Sequence, residues 1–187
     1  MGNIIFNQLS DNYNVVGFSH KSQNNKKIFK TNYKKLSRFH KKIIQNANIF
    51  INCIGENSDE KQMKYKNIEV LKLICNYINK KKMNKIFIHL STCGVYGSTT
   101  KYNISEKVTP LPNNLYSTSK LKGEKILNEN LRDNVKLIIL RSSQVIGSNM
   151  RNISLNKLIY FLNKRIFFFI NNKNSQFSFI FAQDLVL

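Results

Sequence analysis

Short apolar runs alternate with amphipathic stretches along the chain. Four runs of strand length are nearly continuous in hydrophobicity and rich in branched residues, as in strands buried on both faces; they cover residues 14–19, 49–54, 85–90 and 136–141. Three stretches between them carry apolar residues at helical spacing; they cover residues 34–46, 66–82 and 115–131. Strands that alternate with helices in this way predict an α/β fold built on a doubly wound parallel sheet.

Both ends of the chain depart from this rhythm. A helix is predicted over 3–9 directly after Gly2, whereas a doubly wound nucleotide-binding fold begins with a central strand and a glycine-rich turn. Beyond Gly147 the pattern predicts one helix and two further apolar runs; they cover residues 154–163, 166–170 and 177–181. The sequence then ends on the apolar residues 185–187. We therefore expect a sheet that lacks its first strand, in a fragment that is inactive and poorly soluble by itself.

The composition is strongly basic, with a formal net charge of +20. A field of this size attracts phosphate backbones and anionic surfaces. Lysine far outnumbers arginine, however, and Lys, Asn and Ile, whose codons are rich in A and T, are abundant, while alanine occurs only as Ala47 and Ala182. The lysines are scattered and are not interleaved with aromatic residues on one predicted face. We interpret the charge as solvated lysine from a biased genome and predict no specific nucleic-acid partner.

The three cysteines, Cys53, Cys75 and Cys93, lie in or beside apolar segments. An odd number in such positions is typical of reduced thiols in a cytosolic protein. None has a partner at metal-ligand spacing, so no metal site is predicted. No basic flank followed by a long apolar core is visible near the N-terminus, and the longest apolar run is far too short to span a bilayer. We expect a cytoplasmic protein without a membrane segment.

Two short segments carry the candidate chemistry. Residues 89–97 read HLSTCGVYG and place Ser91 and Thr92 at the end of a predicted strand, the edge where open α/β folds bind ligands. A Ser-Thr pair in this position is also typical of a turn or a helix cap. Residues 116–120 read YSTSK and place Tyr116 and Lys120 one helical turn apart. An ammonium at that distance favours the phenolate, so we expect a lowered pKa for Tyr116 and acid/base chemistry near neutral pH.

STCGVYG, followed by PLPNNLYSTSKLKGEKIL, resembles the active-site region of the extended short-chain dehydrogenases/reductases, the NAD-dependent epimerase/dehydratase family that acts on nucleotide sugars. The similarity covers nearly the whole chain and implies a Rossmann-like fold. It also implies a catalytic trio. Thr92 would hydrogen-bond the reacting oxygen, Tyr116 would be the acid/base, and Lys120 would hold the nicotinamide ribose and tune Tyr116.

The resemblance also implies the residues that bind the cofactor, NAD or NADP. FINCIG at 50–55 resembles the strand end that passes under the cofactor. LRSSQVIG at 140–147 resembles the stretch after the sixth strand of the family, and AQDLV places Asp184 where the family has an aspartate. For Asn67, helix capping is an equally good interpretation. The predicted cofactor-binding residues are Gly2, Cys53, Ile54, Gly55, Asn67, Lys120 and Ser143.

Several positions depart from the family pattern. Of the glycine-rich motif TGxxGxxG only Gly2 is present, as its third glycine, so most of the pyrophosphate cradle is missing. Ser19, His20 and Lys21 stand where many members have an acidic residue for the adenosine ribose, which favours NADP. Cys93 and Gly94 replace the Asp-Glu pair of the sugar 4,6-dehydratases, which argues against that elimination. In LRSSQVIG, Ser and Gln stand where Pro and Asn are common, which weakens the prediction of substrate contacts there.

These expectations combine into one functional hypothesis and one rival. Residues 1–147 would form an NAD(P)-binding domain and 148–187 the start of a substrate-binding region. The activity would be that of an epimerase or reductase, an oxidoreductase or isomerase that acts on a nucleotide sugar by hydride transfer, in a parent protein that forms a homodimer. The rival is a non-catalytic, degenerate Rossmann module that binds dinucleotide or RNA through its basic surface.

Overall fold

The computed structural model describes residues 1–21, 23–98, 104–147, 153–166 and 178–186. The α-helices in these ranges are α1 Gly2–Ser10, α2 Arg38–Asn46, α3 Glu60–Lys64, α4 Val70–Ile78, α5 Leu115–Asn130 and α6 Ile153–Asn163. A π-helical turn, Tyr65–Glu69, joins α3 to α4, and a 3-10 turn, Cys93–Tyr96, precedes α5. The strands are β1 Gly17–Ser19, β2 Ile28–Lys30, β3 Ile49–Asn52, β4 Lys85–Thr92, β5 Val135–Ser142, β6 Gln144–Ile146 and β7 Phe179–Phe181.

All strand pairs in the described ranges are parallel, as the alternation of strands and helices predicts. β4 lies between β3 and β5, and β1 pairs with β2 in a separate sheet. β1 and β3 each pair along one edge only within the described part of the chain, and a groove of about 1690 Å³ is lined by both strands and by α1. The expected Rossmann-like architecture without its first strand is confirmed, because the break in the sheet lies between these two strands.

The main core lies between the β3–β5 sheet and helices α2, α4 and α5. Its buried members are apolar side chains from these helices, from two of these strands and from the segment before α2; they are Leu36, Ile44, Leu71, Cys75, Ile78, Phe87, Ile126, Leu127 and Val135. Phe50 of β3 stacks on Phe87 of β4 at 6.2 Å between ring centroids. This core holds α5 against β4, which fixes the position of the candidate catalytic helix.

Some predicted boundaries are wrong for local physical reasons. The second helix begins at Arg38 rather than Lys34, because the hydroxyl of Ser37 accepts from the His40 amide and caps the first turn. The helical stretch predicted over 66–82 begins earlier, at Glu60, where the Asp59 side chain caps the helix. That first part was not predicted because its residues are mostly charged and exposed. β2 was also missed, because its two apolar residues, Ile28 and Phe29, lie between lysines and are too few to show an alternation.

The C-terminal part is described only in segments. The predicted helix at 154–163 is confirmed as α6, and β7 lies within the predicted run at 177–181. Residues 167–170 and Phe177, which belong to the two predicted apolar runs, lie outside the described residues. β7 pairs with β6, so the segments before and after residue 147 share a sheet. The domain boundary at 147 stays a prediction. None of the helices in the described ranges has both the length and the apolarity needed to cross a bilayer.

Candidate active site

The carboxyl ends of β3, β4 and β5 meet at one edge of the central sheet. Register pairs Asn52 with His89 and Thr92 with Ser142, so the segments that follow these strands lie side by side. Ser143, predicted to lie near the nicotinamide, follows β5 directly and is half-buried. Thr92 and Ser143 therefore lie at the carboxyl edge of the sheet, whereas their roles toward a ligand stay predictions.

Thr92 ends β4 and begins the 3-10 turn. Its Oγ1 accepts a hydrogen bond of 3.2 Å from the Gly94 amide, so the hydroxyl is a cap, as one of the two sequence interpretations holds. A hydroxyl that accepts in this way still has its proton to donate. A Cβ at Gly94 would lie 2.6 Å from Ser117 Oγ, so the turn packs closely on the start of α5. This packing brings Thr92 toward the residue next to Tyr116.

Tyr116 lies in the first turn of α5, which Asn114 caps by accepting from the Ser117 amide at 2.9 Å. Burial raises the pKa of Tyr116 above the ordinary value for a phenol. The lowered pKa that the sequence predicted is therefore not found. The physical reason is that the phenol loses solvation, while the Lys120 amino group is directed into the protein, toward β4.

Lys120 is 3% exposed and is the deepest of the predicted catalytic residues. Its Nζ donates to the Leu90 carbonyl oxygen at 2.5 Å and lies 3.4 Å from His89 Nε2. Burial lowers the pKa of Lys120 to about 8, although the carboxylate of Glu124 acts in the opposite direction. Lys120 is therefore much closer to losing its proton at neutral pH than a surface lysine is.

Three of the predicted cofactor residues form the loop after β3. A Cβ built on Gly2 would lie 3.9 Å from Cys53 Cβ, so the N-terminus of α1 abuts this loop. The Ile54 amide donates to Asn52 Oδ1 at 3.2 Å, and Gly55 approaches Asn67. Burial raises the pKa of Cys53 to about 11, so its thiol stays protonated. The loop thus offers backbone and a neutral side chain to a ligand.

Asn67 is buried in the π-helical turn and does not cap a helix. Its amide nitrogen donates to the Glu56 carbonyl oxygen at 3.0 Å and to Ser119 Oγ at 2.8 Å, while its Oδ1 accepts from the Glu56 amide at 3.0 Å. The capping interpretation is therefore wrong, because the helix starts seven residues earlier, at Glu60. π-Helical turns are frequent at functional sites, and this one ties the loop after β3 to α5.

Sequence reasoning missed a buried ionic network beside the trio. Glu124, 2% exposed, accepts from Ser91 Oγ and forms an ion pair with Arg141 at 2.7 Å. Arg141 also donates to the Tyr96 hydroxyl at 2.7 Å, and this contact holds the 3-10 turn to β5. The sequence did indicate that Glu124 lies near the site, since Tyr116, Lys120 and Glu124 lie at i, i+4 and i+8 along one helix face.

A second cavity of about 550 Å³ lies near the ends of β1 and β2. Its lining includes three basic side chains, those of His20, Lys30 and Lys66. Hydrogen bonds from Ser58, and then the ion pair of 3.0 Å with Lys66, lower the pKa of Glu56 to about 2. Desolvation and nearby lysines lower the pKa of His20. Two of the three basic side chains are thus compensated by Glu56 or favoured in the neutral form, and Lys30 remains as the basic side chain that could face an anionic group.

Two further sequence expectations concern Asp184 and metals. Asp184 is exposed in the turn after β7. Within the described ranges, no three side chains among His, Cys, Asp and Glu come together in a way that could hold a metal ion.

Comparison with known proteins agrees with this geometry. The family model described as the NAD dependent epimerase/dehydratase family matches residues 1–187. No curated protein matches the chain. The fold is similar to that of UDP-glucuronic acid 4-epimerase from Bacillus cereus, solved with UDP-glucuronic acid and NAD, with a TM-score of 0.79 and 20% identity. That match covers 99% of this chain and 67% of the other.

Two other solved structures are similar at comparable coverage. MoeE5, in complex with UDP-glucuronic acid and NAD, has a TM-score of 0.81 and 16% identity over 99% of this chain and 66% of its own. A human epimerase family protein with NADPH has a TM-score of 0.73 and 16% identity over 99% of this chain and 63% of its own. The chain thus spans about two thirds of the length of these proteins, and the likeness concerns the fold.

Proposed function

Because the chain belongs to the NAD dependent epimerase/dehydratase family, we propose that it provides the cofactor-binding and catalytic part of an NAD(P)-dependent epimerase or reductase acting on a nucleotide sugar. The observation that carries the proposal is the pair on α5: a half-buried Tyr116 and, one turn later, a buried Lys120 against the end of β4. Buried ionisable groups with shifted pKa values at the ligand edge of an α/β sheet are typical of catalytic sites.

Tyr116 is the proposed proton donor. Its raised pKa keeps the phenol protonated at neutral pH, so it can give a proton to a sugar carbonyl oxygen as the carbon gains hydride, and take it back in the reverse direction. Thr92 would donate its hydroxyl proton to the same oxygen. The nicotinamide, when bound, supplies or accepts the hydride.

The remaining residues would hold the cofactor. The N-terminus of α1 at Gly2 can receive phosphate through backbone amides and the helix dipole. The loop of Cys53, Ile54 and Gly55 would pass beside the cofactor, and Lys120 and Asn67 lie next to that loop. Gly2 and Gly55 have no neighbour closer than 3.9 Å to a Cβ built on them, which leaves room for a ligand. Ser143 would contact the nicotinamide amide.

Substitution of Tyr116 tests the catalytic assignment. In a protein that contains this chain and has the full length of the solved relatives, Tyr116→Phe should lower turnover about 100-fold or more while leaving the fold and cofactor affinity unchanged, because only the transferable proton is lost. Turnover is measured by nicotinamide absorbance with a panel of UDP-sugars, and cofactor affinity by calorimetry. Tyr77→Phe, which removes a hydroxyl on α4 outside the site, is the matched control. Full activity in Tyr116→Phe would refute the assignment.

The basic cavity supports NADP over NAD as cofactor. Lys30 can face a ribose 2′-phosphate, which only NADP has. In the same full-length protein, Lys30→Gln should weaken NADPH binding several-fold and leave NADH binding unchanged, as measured by calorimetry at low salt, because a single phosphate contact is lost. Equal weakening of NADPH and NADH binding would show that the cavity does not bind the ribose 2′-phosphate.

The non-catalytic rival gives the opposite pattern of binding. If the chain is a degenerate module that binds RNA rather than dinucleotide, RNA should bind at physiological salt with submicromolar affinity while cofactor does not bind. A salt titration of RNA binding, run beside the cofactor calorimetry, separates the two functions.

A further inference from the structure

Three buried polar side chains form a row behind the candidate site. Asn52 on β3, His89 on β4 and Lys120 on α5 are 6%, 1% and 3% exposed. Asn52 and His89 are register partners on adjacent strands, and their side chains approach to 2.8 Å between Nδ2 and His89 Nδ1. His89 Nε2, on the other side of the ring, lies 3.4 Å from Lys120 Nζ. None of the roles proposed above uses Asn52 or His89.

The hydrogen-bond directions in this row are determined by one backbone group. The Ile54 amide donates to Asn52 Oδ1, so the Oδ1 atom is the acceptor and the Nδ2 atom faces His89 as a donor. His89 Nδ1 must then accept, and a neutral imidazole with an accepting Nδ1 carries its proton on Nε2. The ring therefore presents an N–H to Lys120 rather than a lone pair.

An N–H that faces Lys120 favours a neutral amine over an ammonium. A neutral amine donates to the Leu90 carbonyl oxygen and accepts from His89 Nε2–H through its lone pair, whereas an ammonium has no lone pair. The other charged or titratable groups around Lys120 are Glu124, one turn along α5, and the Cys53 thiol, both of which favour the ammonium. Burial keeps His89 neutral, with a pKa of about 3.

We propose that His89, with its tautomer fixed by Asn52, is a positioning residue that holds Lys120 by Nε2–H and favours the neutral form of its amine. Its consequence for catalysis rests on the proposed function, since Lys120 would then exchange its proton with solvent near neutral pH beside the acid/base Tyr116. The positioning itself does not depend on catalysis. It concerns only the tautomer of His89 and the protonation of the Lys120 amine.

Nitrogen NMR of the full chain tests the tautomer directly. In the unsubstituted protein, the 15N shifts of His89 should report a neutral ring with the proton on Nε2, from neutral pH down to mildly acidic pH. His89→Phe identifies the signals. A proton on Nδ1, or a ring that is charged at neutral pH, would overturn the proposal, and both are read from the unsubstituted protein.

Titration of Lys120, followed by 13C and 15N labelling of its side chain and assigned with Lys120→Arg, tests the effect on the amine. Asn52→Asp should move the ring proton to Nδ1 and raise the Lys120 pKa by about one unit, because Nε2 then accepts from the ammonium. His89→Phe should raise the same pKa although it adds no charge and increases apolar surroundings, which by themselves lower a lysine pKa. If the Lys120 pKa rises in Asn52→Asp but not in His89→Phe, the added negative charge of the aspartate explains the shift, and the proposal is refuted.

The proposed function has a separate readout. If the Lys120 pKa shifts in both variants while the pH profile of turnover does not move, the positioning stands and the catalytic role of Lys120 fails. If the pH profile of turnover moves with the Lys120 pKa, both the positioning by His89 and the catalytic role of Lys120 are supported.

Discussion

At the scale of single residues, the site depends on polar groups that are buried in pairs. Glu124 and Arg141 are joined by an ion pair of 2.7 Å, and their side chains are 3% and 21% exposed. Removal of one partner from such a pair leaves a charge without compensation, whereas replacement of both by apolar groups of similar size is far less costly. The pair therefore acts as a unit that links α5, β5 and, through Tyr96, the 3-10 turn after Thr92.

A double-mutant cycle should show this coupling. Arg141→Met should lower the free energy of unfolding by about 3 kcal/mol, because Glu124 stays buried and unpaired. The double variant Arg141→Met with Glu124→Met should recover more than half of that loss. Chemical denaturation of the three variants measures both quantities. Additive effects of Glu124→Met and Arg141→Met would show that the two side chains are not coupled.

The residue scale also shows what sequence could and could not predict of the site. The spacing of Tyr116 and Lys120 predicted their place on one helix face, and the end of the β4 pattern predicted that Thr92 lies at the ligand edge. The direction of the Lys120 side chain was not predictable, because it depends on the Leu90 carbonyl and on His89, which are about 30 residues away in sequence. For the same reason the pKa of Tyr116 was predicted with the wrong sign.

At the scale of elements, α5 is placed by one close contact with the π-helical turn. A Cβ built on Gly123 would lie 2.6 Å from the Asn67 carbonyl oxygen and 2.9 Å from Leu71 Cδ1. Only glycine lets the two helices approach this closely. The turn itself was not predictable from periodicity, because a single π-helical turn shifts the 3.6-residue repeat that helix prediction relies on.

Gly123→Ala should therefore destabilise the protein. In an unconstrained helix this change stabilises by about 1 kcal/mol, but here the methyl group meets backbone that cannot rotate away. We expect a net loss of about 2 kcal/mol in the free energy of unfolding, as for other overpacked sites, together with weaker cofactor binding as Asn67 moves. Gly2→Ala, at an exposed helix start with no neighbour closer than 3.9 Å, is the matched stability control. Equal stability of the two variants would contradict the close packing.

At the scale of the whole molecule, part of the large positive charge has internal roles. Lys85 is 3% exposed, donates to the Gln45 carbonyl oxygen at 2.7 Å and lies over the Phe50 ring. The Lys41 and Lys80 side chains both lie over the ring of Tyr77. Such contacts reduce the number of lysines that are simply solvated. The interpretation of the charge as wholly solvated lysine was therefore too simple, because composition does not show which lysines pack.

The sheets of the fold differ in how many neighbours each strand has and in how many residues pair. The alternation of apolar runs predicted parallel strands, and the missing glycine motif predicted a gap, which lies between β1 and β3. β4 has neighbours on both edges, with eight register pairs to β5 and four to β3. β1 has three register pairs, all with β2, and its other edge borders the groove. The local stability of a strand increases with the number of residues that pair with neighbouring strands and with the packing around them.

Hydrogen exchange of the full chain should resolve this difference. Amides in the middle of β4, around Phe87 and His89, should exchange about 100-fold or more slowly than those of β1, because opening β4 requires disruption of the main core, whereas β1 pairs with β2 and contributes the partly buried Phe18 to the edge of that core. Mass spectrometry of peptides covering 17–30 and 85–92 measures both rates in one experiment, and α5 serves as an internal reference because it packs on the same core as β4. Equal protection in the two sheets would mean that they open as one cooperative unit, and that the groove between them does not weaken the molecule.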